Sequence, residues 1–121
     1  MSAQGDLAGA LKAYRESLAV RARLAAADPS NAGWQRDLSV SYWRMADMAE
    51  KTGTADAREW WRKAYEQLSG MKQRGIMLPT DEPYLGQLRN KVEGERRKAE
   101  GQRLKAKMGA RRHRRPEVGG R

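Results

Sequence analysis

Residue types that carry out catalysis are scarce in this chain of 121 residues, and none stands in a reactive pattern. The one histidine, His113, lies within Arg111-Arg112-His113-Arg114-Arg115, where neighbouring positive charge disfavours both metal binding and base catalysis. The serines of residues 1–93 have no histidine near them in the sequence to activate them. Cysteine is absent, which excludes disulfides, Cys-ligated zinc, iron–sulfur clusters and thiol chemistry. We therefore expect a protein that is not an enzyme and has no cofactor or metal site.

The remaining residues that can do chemistry are cations, which form three clusters near the C-terminus. Lys and Arg neutralise nucleic-acid phosphates without reading sequence, and this binding weakens as salt rises. No aromatic residue follows Tyr84, so the clusters cannot stack on bases. A solvated tail that binds nothing is the alternative interpretation. The possible polyanion-binding residues are Arg96, Arg97, Lys98, Arg103, Lys105, Lys107, Arg111, Arg112, Arg114 and Arg115.

The formal net charge of +10 is distributed unevenly along the chain. Residues 1–93 contain 14 Lys and Arg against 12 Asp and Glu, whereas residues 94–121 contain 11 against 3. Apolar residues also become rare after Val92, so the second segment cannot bury enough surface to offset the entropy lost on ordering. We predict a helical repeat domain over residues 1–93, followed by a basic tail over residues 94–121 that is disordered or partly helical.

The sequence contains nothing that resembles a membrane or export signal. No stretch approaches the roughly 20 apolar residues of a membrane span. Residues 1–6 do not place a basic region ahead of an apolar one, as a signal peptide does. We expect a cytoplasmic protein.

Apolar residues recur with helical spacing in four stretches that Pro and Gly separate, and no stretch alternates as a strand does. Asp28-Pro29-Ser30-Asn31 ends the first helix and offers a side-chain cap to the second. Gly53 and Gly75 fit the ends of the second and third helices, and Pro83 fits the first turn of the fourth. The prediction is an all-α fold of about four antiparallel helices.

The first two helices resemble the second two, at separations of 47 and 50 residues. Such periods are typical of solenoids built from stacked helical hairpins. Matching positions in the second and fourth helices are Pro29, Trp34, Leu38 and Tyr42 with Pro79, Tyr84, Leu88 and Val92; those in the first and third are Ala10, Tyr14, Ser17 and Leu18 with Ala57, Trp61, Ala64 and Tyr65.

These residues resemble the tetratricopeptide repeat (TPR) family over residues 5–92. Small and aromatic residues in the first and third helices resemble the family's second helix, and Asp28-Pro29-Ser30-Asn31 resembles its inter-repeat turn. Trp34, Leu38 and Tyr42 resemble its first helix. The common unit has about 34 residues, so this chain is more similar to the long-period repeats of kinesin light chains and bacterial arrays. A HEAT-like repeat remains the alternative. The resemblance implies a fragment of a right-handed helical-hairpin solenoid.

The resemblance also implies a non-catalytic scaffold that binds a peptide or helix of a protein partner. The first helices of such arrays line a groove, and the matching positions here are Arg36, Val40, Trp43, Arg44 and Asn90. Trp43 lies off the core stripe beside an arginine, which suits a hot spot for an acidic or aromatic ligand. Packing of Trp43 on a neighbouring helix is the other interpretation. The residues do not identify the partner.

The first helix carries an apolar stripe that a preceding helix would cover in a longer array. The stripe consists of Leu7, Leu11, Tyr14 and Leu18. Because solenoid ends need caps, we expect this face to associate with a second copy, forming a homodimer, or to belong to the end of a longer array. A nucleic-acid-associated protein that dimerises through its helices and binds phosphates through the tail is the alternative function.

Overall fold

The computed structural model describes residues 3–119, with side chains described for residues 5–109. Helices account for almost all of this part of the chain, and it contains no strand. The all-α prediction with four helices is therefore confirmed. The helices are α1 (Ala3–Ala27), α2 (Ala32–Thr52), α3 (Ala57–Gln73) and α4 (Glu82–Gly119), with a 3₁₀ turn (Pro79–Asp81) immediately before α4.

The helix ends lie where the sequence predicts them. The Asn31 side chain accepts a hydrogen bond of 3.0 Å from the backbone N–H of Trp34 and so caps α2. Gly53 and Gly75 adopt positive φ angles of 72° and 74° after α2 and α3, a conformation that residues with a Cβ rarely take. Pro83 is the second residue of α4, where its missing N–H costs no helical hydrogen bond.

Each helix packs on the next one along the chain, α1 on α2, α2 on α3 and α3 on α4. Side chains also join α2 directly to α4: Trp43 contacts Tyr84, and seven residues further along both helices Lys91 forms an ion pair with Glu50. Contacts that advance in the same direction show that α2 and α4 run parallel on one side of α3. This order is repeat-like, because the hairpin of α3 and α4 follows the hairpin of α1 and α2, with the second helices of the two hairpins parallel.

The core is centred on α3. Its Trp61 and Met71 are each 1% exposed, and Leu88 of α4 is fully buried against the same cluster. Helix α1 contributes little, since Ala25 is its one buried apolar residue among those whose side chains are described. The three helices α2, α3 and α4 therefore hold most of the stabilising apolar burial.

Amide side chains join α1, α2 and α3 near the Pro29 turn. Gln35, 5% exposed, donates a hydrogen bond of 2.9 Å to the carbonyl of Ala25. Gln67 of α3 donates to both the backbone and the side-chain oxygen of Gln35, at 3.1 and 2.7 Å. A buried amide costs free energy unless it is bonded, so this set of bonds holds the three helices in one register.

Helix α4 passes the predicted domain boundary at residues 93 and 94 without interruption. Of the two states predicted for the basic segment, disordered or partly helical, the structure has the helical one as far as Gly119. The local reason is composition, because Ala, Lys, Arg and Glu are strong helix formers. Within residues 3–119, no helix combines the length and apolar character that crossing a membrane requires.

Candidate functional site

An open cleft of about 260 Å³ lies where α2 and the start of α4 come together over α3. We call it the α2/α4 cleft. Helix α2 provides one wall, the 3₁₀ turn and α4 provide the other, and α3 provides one apolar residue. The lining residues are Arg36, Ser39, Val40, Trp43, Arg44, Leu68, Asp81 and Tyr84.

Four of the five residues predicted to line a groove meet in this cleft, namely Arg36, Val40, Trp43 and Arg44. Asn90 is exposed on α4 but does not line the cleft. Its position explains the difference, because six helical residues turn a side chain by about 120° relative to Tyr84, which does line it. The structure therefore brings the four predicted residues of α2 together and places Asn90 elsewhere, and partner binding by these residues stays a prediction.

Trp43 both packs and lines the cleft. Its ring lies edge to face with Trp61 at a centroid distance of 5.9 Å, and edge to face with Tyr84 at 5.7 Å. T-shaped aromatic pairs of this kind stabilise the contact beyond the area they bury. The side chain stays partly exposed towards the cleft. The two interpretations of Trp43 are therefore compatible, since packing fixes the ring that the cleft presents.

The two arginines of the cleft are in different electrostatic states. Arg36 donates hydrogen bonds of 2.8 and 3.2 Å to the two carboxylate oxygens of Asp81. Hydrogen bonding to Asp81 is the main reason that the pKa of Arg36 is raised. Asp81 is 3% exposed, so the pair holds the 3₁₀ turn against α2. Arg44 is exposed and has no ion pair or hydrogen bond to any side chain described. Its charge is therefore available to an incoming carboxylate.

Sequence reasoning missed four residues of the cleft: Ser39, Leu68, Asp81 and Tyr84. The repeat of 50 residues matches Tyr84 with Trp34 and Asp81 with Asn31, but neither partner lines the cleft, so the repeat gave no signal for it. Asn31 precedes α2 and Asp81 precedes α4, so equivalent polar residues stand at the two helix starts. No sequence pattern indicated Leu68 as a cleft residue, because it lies on the core stripe of α3.

The apolar stripe of α1 faces α2. Leu11, Tyr14 and Leu18 are half-buried, Leu7 is exposed, and Ala25 on the same stripe is buried. Leu11 lines a second cleft of about 280 Å³ together with residues of α2 and α3. The stripe predicted for self-association is therefore partly covered within the chain and partly exposed. The exposed large apolar residues of α1 on its other side are Val20 and Leu24.

The basic clusters begin on the part of α4 that follows Glu93. Arg96 bonds to Glu93 at 3.1 Å and Arg103 bonds to Glu100 at 2.8 Å, each three residues apart on the helix. The side chains of Arg111, Arg112, Arg114 and Arg115 lie outside the described ones, so their predicted role cannot be placed in space. Over residues 94–109, the cations without a described partner are Arg97, Lys98, Lys105 and Lys107.

Comparison of the chain with protein-family models, with curated proteins and with solved structures finds no match. The tetratricopeptide resemblance therefore rests on the residues and helix order described above.

Proposed function

We propose that this protein is a non-catalytic interaction module of the long-period tetratricopeptide type, and that it binds a peptide or helix of a cytoplasmic protein partner in the α2/α4 cleft. The observation that carries the proposal is the meeting of Trp43, Tyr84 and the unpaired Arg44 in one cleft. Trp, Tyr and Arg are the residues most enriched among interface hot spots.

The size of the cleft favours part of a polypeptide over a cofactor. Sites for small molecules usually enclose about 300–1,000 Å³, and this open cleft holds about 260 Å³. That volume suits one or two side chains of a segment that continues along the surface. Val40, Leu68 and the two aromatic rings offer contacts to an apolar side chain. Arg44 offers a charge-assisted hydrogen bond to a neighbouring carboxylate.

The arrangement of α2 and α4 supports the tetratricopeptide type. The resemblance makes these two helices the first helices of successive repeats, which line the binding groove in that family. Here they run parallel and their side chains meet across α3. The expected ligand is a segment with an aromatic or large aliphatic residue next to Asp or Glu.

Selection from a library of random peptides displayed on phage tests the proposal. We expect the full chain to enrich peptides of the stated pattern. Synthetic versions of these peptides should bind the Arg44→Glu variant at least tenfold more weakly, because a carboxylate would then meet a carboxylate. Arg58→Glu is the matched control, since Arg58 is an exposed arginine of α3 outside the cleft.

Two outcomes would contradict the proposal. One is the absence of any enriched pattern; the other is equal loss of binding in the Arg44 and Arg58 variants, which would indicate attraction to overall charge. Self-association through α1 stays a separate prediction, because Leu7 is exposed and Leu11, Tyr14 and Leu18 are partly exposed. Sedimentation velocity over the micromolar range tests it, and a cooperatively folding monomer would end it.

A further inference from the structure

The part of α4 after Glu93 extends away from the other helices. We call residues 94–109 the basic extension. Val92 is the last residue of α4 that packs against the core. Among described side chains, none in the basic extension is fully buried or forms a hydrogen bond, ion pair or ring contact with another helix. At 1.5 Å per residue the extension is about 24 Å of single helix.

The core stripe of α4 loses its large residues at this point. Leu85, Leu88 and Val92 occupy the side that faces α3, whereas Ala99 and Ala106 follow on the same side. Alanine cannot supply the buried area that holds a helix against a neighbour. Every Lys and Arg of the basic extension is therefore exposed, while Glu95 and Ala99 are partly exposed.

Cations surround the basic extension, and those without partners include a regular row. Residues 94–109 contain six Lys and Arg against two Glu. Lys98 and Lys105 lie seven residues apart, on one side of the helix and about 10 Å apart along its axis. Arg97 and Lys107 project from other sides. By contrast, Arg96 and Arg103 are engaged with Glu93 and Glu100.

We propose that the basic extension binds double-stranded DNA by lying in its major groove, where its unpaired cations contact the phosphates without reading sequence. A lone helix with its side chains is about 10–12 Å across, and the major groove of B-form DNA is about 12 Å wide. Cations on several sides of one helix can then reach the phosphates of both strands. This function is independent of the α2/α4 cleft.

The same residues argue against other polyanions. The major groove of A-form RNA is deep and narrow, so a helix does not enter it. Single strands are held by stacking on aromatic rings, and the extension has none. A helix that lies in a membrane surface needs an apolar face, and here only Leu104 and Met108 are large and apolar.

Fluorescence anisotropy with a labelled DNA duplex of mixed sequence, repeated over a series of KCl concentrations, tests the proposal. We expect the logarithm of the binding constant to fall linearly with the logarithm of the salt concentration. The double variant Lys98→Gln/Lys105→Gln should lower the magnitude of that slope by about 2 and weaken binding roughly tenfold or more at low salt. Gln preserves helix propensity, and circular dichroism would verify that the helix content is retained.

The double variant Lys12→Gln/Arg58→Gln is the matched control, because it removes the same charge from exposed positions of α1 and α3 that have no described partner. It should leave the salt slope unchanged. Equal loss in the control would overturn the proposal, as would tighter binding to an RNA duplex or to vesicles of anionic lipid. A second duplex of unrelated sequence should bind within about threefold; a larger preference would refute phosphate contact as the sole mode.

Discussion

The two halves of α4 are helical for different physical reasons. From Glu82 to Glu93 the helix is held by burial, since Leu85 and Leu88 pack into the core around Trp61. Over residues 94–109 no such packing exists, and the helix depends on residue propensity and on ion pairs such as Arg103 with Glu100. The comparison shows that one continuous helix can be a structural element at one end and an accessible charged surface at the other.

This difference affects cooperativity. Packed helices unfold with the core, whereas a lone helix frays with little effect on the rest of the molecule. The packed half should therefore determine the free energy of unfolding, and the basic extension should determine affinity for polyanions. Variants that differ only in which half they change can separate the two roles.

Truncation of one leucine in each half gives the largest expected contrast. Leu88 is 0% exposed and Leu104 is 50% exposed on the same helix. We expect Leu88→Ala to lower the free energy of unfolding by about 2–5 kcal/mol, because it leaves a cavity in the core. Leu104→Ala should change it by no more than about 0.5 kcal/mol. Urea denaturation measures both. A comparable loss at Leu104 would show that the basic extension packs on the body.

The ion pair that joins the start of α4 to α2 should have the next largest effect. Asp81→Asn removes the charge that Arg36 contacts at a buried site, and we expect a loss of about 1–3 kcal/mol in the free energy of unfolding. Glu82→Gln is the control, because Glu82 pairs with Lys72 at an exposed site where such pairs contribute about 1 kcal/mol or less. Equal effects in urea denaturation would mean that burial of Asp81 has no energetic importance.

Replacing a glycine by alanine in each part of α4 tests the contrast between the packed half and the basic extension through helix propensity. A Cβ at Gly86 or Gly101 would meet no atom within 4 Å. We expect Gly86→Ala, in the packed half, to raise the free energy of unfolding by about 0.5–1 kcal/mol. Gly101→Ala should leave that free energy unchanged but slow amide hydrogen exchange within the basic extension. A rise in global stability from Gly101→Ala would contradict independent fraying.

Removal of a carboxylate from the basic extension should have the smallest effect on stability and a clear effect on binding. Glu100→Gln frees Arg103, so we expect severalfold tighter binding to the DNA duplex at low salt and a salt slope steeper by about 1. The free energy of unfolding should change by only a few tenths of a kcal/mol. Asp47→Asn frees Lys51 in the same way on α2. If this control tightened duplex binding equally, net charge would be sufficient to explain the effect.

The sequence predicts the helices well because their limits depend on local chemistry. Asn31 caps α2 through its own side chain, and Gly53 adopts the positive φ angle that ends the helix. Neither effect requires knowledge of the tertiary structure. The side of α2 that lines the cleft was indicated by the tetratricopeptide resemblance, which gave Arg36, Val40, Trp43 and Arg44 as groove positions.

What the sequence did not predict depends on how helices meet. Asp81 becomes a cleft residue only because the 3₁₀ turn brings it to Arg36, which is 45 residues away. Asn90 lies outside the cleft because α4 presents Tyr84 to it, and a residue six positions further along the helix points about 120° away. For the segment after Gly94 the sequence left disorder and partial helix open, because poor burial favours disorder whereas helix propensity acts without burial.

The continuity of α4 has a geometric consequence. Tyr84, in the wall of the cleft, and Lys98, in the basic extension, belong to one helix, so a fixed number of residues sets both their separation and their relative angle. Insertion of a single residue between them would rotate the charged row by about 100° and displace it by 1.5 Å. A peptide held in the cleft and a duplex held by the extension would therefore keep a defined mutual orientation, which the length of the intervening segment determines.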